Sequence, residues 1–213
     1  MSDNIDLEAL EKKTWRTTLV DGIFEIYLGI LHLSLTLGIV FDEVVPAPFS
    51  TIISFSIILI GLIFFLIGKK YISQPRLGKV KFGRARMARK LKTLIILTVN
   101  FLVVLIIYLI GALNPQFRLN LPPYLYGLII GLLFVTLPLS FVAYFLQFTR
   151  LYIIALLFGI GFFLDELFAL LLIPEPFDSL LAFGMISIAI ISIGIVVFIR
   201  FLQKYPLPKE EIT

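Results

Sequence analysis

The stretch Gly83-Arg84-Ala85-Arg86-Met87-Ala88-Arg89-Lys90-Leu91-Lys92 runs directly into Thr93-Leu94-Ile95-Ile96-Leu97-Thr98-Val99-Asn100-Phe101-Leu102-Val103-Val104-Leu105-Ile106-Ile107-Tyr108-Leu109-Ile110-Gly111-Ala112-Leu113. The second part carries no charge. It is long enough to cross about 30 Å of hydrocarbon at about 1.5 Å per residue. The first part is a run of cations without an acid. It reads as a basic helix that continues into the membrane. Lipid leaves no water for backbone amides, so a spanning segment must be a helix or part of a closed barrel. The run lacks the alternating polarity of a half-buried strand, which leaves the helix.

Working outward, five more apolar segments have a spanning length or nearly so: residues 19–41, 51–68, 124–146, 151–173 and 180–201. The 51–68 segment is the shortest, and Lys69 and Lys70 can snorkel to extend it. Hydrophobic residues make up 60% of the chain and charged residues 15%, with mean hydropathy +1.05. A soluble domain is usually about 45–50% apolar and about 25% charged. The reading is an all-α membrane protein with six transmembrane helices, forming a single integral membrane domain over residues 1–213 with a basic loop at 69–92.

Charge sets the expected orientation. Of the 18 Lys and Arg residues, all but Arg118 fall in the N-terminal segment, the 69–92 loop, the 147–150 turn or the C-terminal end. The opposite loops hold Asp42, Glu43, Glu175 and Asp178. The positive-inside rule then puts both termini and the basic loop in the cytoplasm of a multi-pass cell-membrane protein. The pI near 9.3 follows from this asymmetry. Nucleic acid is a poor partner for it, because no recognition fold accompanies the basic loop.

The outer turns look alike. Val45-Pro46-Ala47-Pro48-Phe49-Ser50, Leu121-Pro122-Pro123-Tyr124 and Ile173-Pro174-Glu175-Pro176-Phe177-Asp178 each place prolines where the next helix begins. Ser50 and Asp178 are expected as N-caps. Phe145-Leu146-Gln147 and Phe201-Leu202-Gln203 end two spans alike. These features read as three repeated helical hairpins, with convergent turn chemistry as the alternative.

Polar residues inside the spans are the candidate sites. Asp21, Glu25, His32 and Thr36 share one helical stripe. Asp21 is expected in solvent at the inner interface, with Glu25 and His32 deeper. Asp165 and Glu166 are adjacent acids expected about 11–12 Å below the outer end of their span. They are protonated, line water, bind a cation, or sit where the helix ends early. Intramembrane ionisable groups usually face the bundle interior. One arrangement places Asp165 and Glu166 near His32, with Glu25 below, as a proton or cation path. Asn100 and the Gly127-xxx-Gly131 pair read as packing features, a cross-helix hydrogen bond and a close helix contact. In the basic loop, Arg84, Arg86, Arg89 and Lys90 are candidates for anionic headgroups, or determine topology alone.

The chain has no cysteine and one histidine. Disulfides, thiolate sites and multi-histidine metal sites within one chain are therefore excluded, and no cofactor is implied. Nucleophile and Asp-rich transferase motifs are lacking, so an intramembrane enzyme ranks third. A non-enzymatic structural or partner-binding subunit ranks first, its partners being the bilayer, anionic lipids, another membrane protein or a second copy. A small proton- or cation-coupled transporter or channel using Glu25, His32, Asp165 and Glu166 is the alternative.

Two motifs resemble an uncharacterised family of small prokaryotic multi-span membrane proteins. They are Tyr71…Pro75-Arg76-x-Gly78-x-Val80-Lys81-Phe82 and Asp21-Gly22-x-x-Glu25-x-x-x-Gly29. The resemblance implies a membrane protein of no established activity and assigns no catalytic residue.

Overall fold

The computed structural model describes residues 19–78, 84–113 and 121–207. Among them every regular element is helical. Helix α1 is Ile23–Val44 and α2 is Ala47–Ile67. A π-helical segment, Gly68–Ser73, leads from α2 into the short α3, Gln74–Leu77. Helix α4 is Arg84–Leu113. Helices α5, Pro123–Ile130, and α6, Leu137–Leu146, are joined by a second π-helical segment, Gly131–Thr136. Helix α7 is Arg150–Leu170 and α8 is Phe177–Lys204. Joined across the π segments, these elements give six helices long and apolar enough to cross a membrane.

The basic 84–92 segment is the helical start of α4, as the sequence predicts. The side chains of Arg84, Arg86, Arg89 and Lys90 lie outside the described residues. Other boundaries differ from expectation. The first span starts at Ile23 rather than residue 19, because Gly22 takes a left-handed conformation (φ 76°) that no α-helix continues through. The second span runs past Lys69 through the π segment to Leu77, so part of the expected loop is helix. The fifth ends at Leu170 instead of 173, with Leu172 at φ 62°.

The prolines open helices as expected. The Pro46 carbonyl accepts from Phe49 N and Ser50 N, that of Pro122 from Leu125 N and Tyr126 N, and that of Pro176 from Leu180 N. These early starts displace the expected caps. Ser50 lies inside the first turn of α2, where its hydroxyl donates to Asp42 Oδ1. Asp178 lies inside the first turn of α8, where its Oδ1 accepts from Ser179 N at 2.7 Å.

The chain falls into two compact units. One comprises residues 1–82 and 187–213, the other 83–186, so α8 contributes to both. In the first unit, α1 packs against α2 and the part of α8 from Ser187 onward. A Cβ on Gly29 would stand 3.0 Å from Ile191 N and 3.2 Å from Ser187 O, and one on Gly22 would stand 2.7 Å from Phe198 N. As the number rises along α1 it falls along α8, so the two helices are antiparallel. Tyr27 and Phe24 meet the Phe65 ring at 5.3 and 6.0 Å.

In the second unit, α5 and the following π segment lie backbone to backbone on α7. Gly127 faces Phe162, and Gly131 faces Gly159. The expected close contact at Gly127-xxx-Gly131 is present. Asn100 is also placed as expected. Pro138 has no N–H to offer the Phe134 carbonyl four residues back, and Asn100 Nδ2 of α4 donates to that carbonyl at 3.1 Å. No described residue of α4 is fully buried. From Thr93 onward it carries no charge, as suits a helix facing lipid.

Candidate functional site

The polar stripe of the first span is internal. Asp21, Glu25 and Thr36 have no exposure and His32 has 5%. The helix phase puts them on one face, and the glycines at 22 and 29 bring the α8 backbone close to that face.

Asp21 departs most from expectation. It is not solvated; it is enclosed, just before α1 begins. Lys69 Nζ donates to both carboxylate oxygens, at 2.9 and 2.7 Å. The Ser73 hydroxyl donates to Oδ2, and Ile23 N to Oδ1 at 3.3 Å. Lys69 opens onto solvent at 21% exposure and lies 5.8 Å above the Phe65 ring. The π segment brings Lys69 and Ser73 together onto the same acid. The physical reason for the correction is partnering: a buried carboxylate is tolerated when an ammonium and hydrogen bonds surround it.

One turn further in, Glu25 is enclosed with both carboxylate oxygens buried. Another ~10 Å along α1, His32 Nδ1 lies 2.8 Å from Ser187 Oγ of α8. Thr36 Oγ1 donates back to His32 O at 3.1 Å. The partner of this histidine is a hydroxyl of another helix.

Asp165 and Glu166 belong to the second unit. Because α7 stops at Leu170, they lie five and four residues from its end, about 6–8 Å rather than 11–12 Å. Both are partly exposed. Asp165 Oδ1 accepts from Ser179 Oγ of α8 at 2.6 Å, and Glu166 Cγ lies against Gly127 of α5. The helix thus ends three residues before the boundary read from the sequence.

Sequence reading missed Lys69, Ser73, Ser187 and Ser179 as partners. Two pairings had a signal. Asp21 lies 25 residues before Pro46 and Tyr71 lies 25 after it, so a hairpin folding at Pro46 sets Asp21 opposite the 69–73 region. Asp165 and Ser179 each lie seven residues from Leu172. Ser187 has no such symmetry with His32, since no short turn joins their helices. No group of three His, Cys, Asp or Glu side chains suited to a metal ion occurs among the described residues.

No family model matches the chain, and comparison with curated proteins and with solved structures gives no match.

Proposed function

We propose that this is a non-enzymatic, structural subunit of the cell membrane, crossing it six times with both termini in the cytoplasm. One observation carries the reading: polar groups of the spans tie one helix to the next. Asp21 holds α1 to the end of α2, and His32 holds α1 to α8. Asn100 holds α4 to the π segment, Thr136 Oγ1 holds that segment to Ala155 O of α7, and Asp165 holds α7 to α8. In lipid there is no hydrophobic drive between helices, so such bonds and close glycine contacts set the packing. Reporter fusions at Thr213 and after Gly83 are expected to read inside, and one after Asn120 outside. An external reading at Gly83 removes the six-span arrangement.

A second reading is favoured by Glu25. An enclosed carboxylate on the same face as Asp21 and His32 is what a proton- or cation-coupled carrier requires. In that reading Glu25 and His32 carry the proton or cation within the first unit. The test is flux in proteoliposomes under an imposed pH gradient. The structural reading expects the protein to leave the gradient as empty vesicles do. A gradient collapsed by the parent protein and preserved by a folded Glu25→Gln variant would replace it with the carrier.

A further inference from the structure

The turn between α7 and α8 displays leucines that the fold itself does not bury. Ile173 N donates to Phe168 O at 3.2 Å and Leu172 N to Ala169 O at 3.1 Å. These two bonds close a helix whose next residue is left-handed, a place that glycine or asparagine ordinarily takes. Here Leu172 takes it, at φ 62°. A residue with a Cβ is strained in that conformation. Leu172 recovers nothing by packing, because it is 89% exposed. Leu170, Leu171 and Phe177 are exposed on either side of it in the same turn. Strain of this kind persists where the residue has a use, and a contiguous exposed apolar patch marks a surface for contact.

Lipid alone is a poor cover for this patch. Helix α7 starts at Arg150, and about 30 Å of hydrocarbon measured from there is used up near Leu170 at about 1.5 Å per residue. Leu171, Leu172 and Phe177 stand at that edge or beyond it. Sinking the turn further would carry Asp165 and Glu166, both partly exposed, deeper into hydrocarbon, which is costly for carboxylates. The acids also set the charge of the patch. Between Arg150 and Arg200 the sequence holds Asp165, Glu166, Glu175 and Asp178 and no lysine or arginine. Glu166 shares the α7 face of Leu170, four residues on. Glu175 is exposed between Leu172 and Phe177. Among the described residues neither Glu166 nor Glu175 forms an ion pair. Asp165 ties α7 to α8 through the Ser179 hydroxyl at 2.6 Å, which holds the two sides of the turn together. An apolar patch rimmed by anions is complementary to an apolar surface that carries cations.

We propose that the α7–α8 turn is a docking surface for a cationic amphipathic helix of a partner protein. Leu171, Leu172 and Phe177 receive its apolar face, and Glu166 and Glu175 receive its lysines or arginines. The proposal rests on the structural-subunit reading above and gives that subunit's partner a chemistry.

The test uses the full-length protein in phosphatidylcholine nanodiscs. The probe is a fluorescent synthetic helix of leucine and lysine, with its leucines at three- and four-residue spacing. Its binding is read as the excess over empty nanodiscs. Burying one exposed leucine is worth about tenfold in affinity, so Leu172→Gly should weaken the excess binding by about that factor. The same variant should melt at the parent's temperature or higher, since glycine takes the left-handed conformation without strain. Glu166→Gln/Glu175→Gln should weaken binding roughly threefold and remove most of its salt dependence. A probe with glutamate in place of lysine should show no excess. Equal binding by the parent and a folded Leu172→Gly variant overturns the proposal, and so does equal binding of the lysine and glutamate probes or no excess for the parent. If Leu172→Gly does not fold, Leu172→Asn decides, because asparagine also tolerates this conformation. Nanodiscs expose both ends of the protein, so the result is independent of orientation. Absent binding leaves the structural reading standing, since the pH-gradient experiment tests that reading separately.

Discussion

Replacing Lys69 by methionine is expected to destabilise the protein by about 3–4 kcal/mol at neutral pH, more than replacing Asp21 by asparagine. The asymmetry follows from burial. Asp21 has no exposure, whereas Lys69 retains 21% and a flexible stem. Removing the lysine leaves, among the described residues, Ser73 and Ile23 N to hold the enclosed carboxylate. Removing one partner of a buried pair costs about 3–5 kcal/mol. Neutralising a carboxylic acid at pH 7 costs about 4 kcal/mol by ordinary proton linkage, which limits the penalty from above. Removing the acid instead frees a lysine that can turn toward water, at a cost nearer 1–2 kcal/mol for the lost bonds. Pairing Lys69→Met with Asp21→Leu should recover most of the loss, since an apolar pair of similar volume often matches a buried ion pair. Unfolding in mild detergent at neutral pH measures all of these. A Lys69→Met variant no less stable than Asp21→Asn would mean that Asp21 is not enclosed.

The spans were legible because apolar length and charge asymmetry act over twenty residues at a time and need no partner. The basic 84–92 helix, the prolines at the turns, Asn100 and the Gly127–Gly131 contact were legible for the same local reason. Boundaries were less so. Gly22 ends the possibility of helix before Ile23 through a single dihedral, and Leu172 does the same after Leu170. Leucine gives no sign of a positive φ, and glycine is common inside membrane helices. The π segments were missed altogether. Each begins at a glycine, with a proline seven residues on: Gly68 with Pro75, and Gly131 with Pro138. A proline removes one backbone donor, and widening the preceding turn accommodates the loss. That spacing was visible in the sequence and carries a mechanism. The site residues divide along another line. Asp21, Glu25, His32 and Thr36 were found from phase on one helix. Their partners required knowing which helices touch. Hairpin symmetry yields this for Lys69, Ser73 and Ser179, but nothing in the sequence yields it for Ser187.

Gly131→Ala is expected to destabilise the second unit by about 2–4 kcal/mol, while Gly111→Ala is neutral or slightly stabilising. The two glycines differ only in what surrounds them. A Cβ on Gly131 would fall on the Gly159 carbonyl, 2.8 Å from its carbon and 3.1 Å from its Cα. Those atoms are backbone on both sides, so no side-chain rotamer can yield. The helices must separate, which forfeits close packing along Gly127, Gly131 and Gly159. It also strains the 3.0 Å bond from Thr136 Oγ1 to Ala155 O. Overpacking typically costs about 1–3 kcal/mol, and a cross-helix bond in lipid about 1 more. Around Gly111 nothing lies within 4 Å of a Cβ. There alanine contributes its helix propensity, up to about 1 kcal/mol over glycine in an exposed helix. Enlarging Gly159 should act like enlarging Gly131, and the double substitution should cost less than the sum, because the helices separate once for both. Thermal unfolding of the four variants in one detergent decides the matter. Equal melting temperatures for Gly131→Ala and Gly111→Ala would show that the π segment and α7 do not meet backbone to backbone.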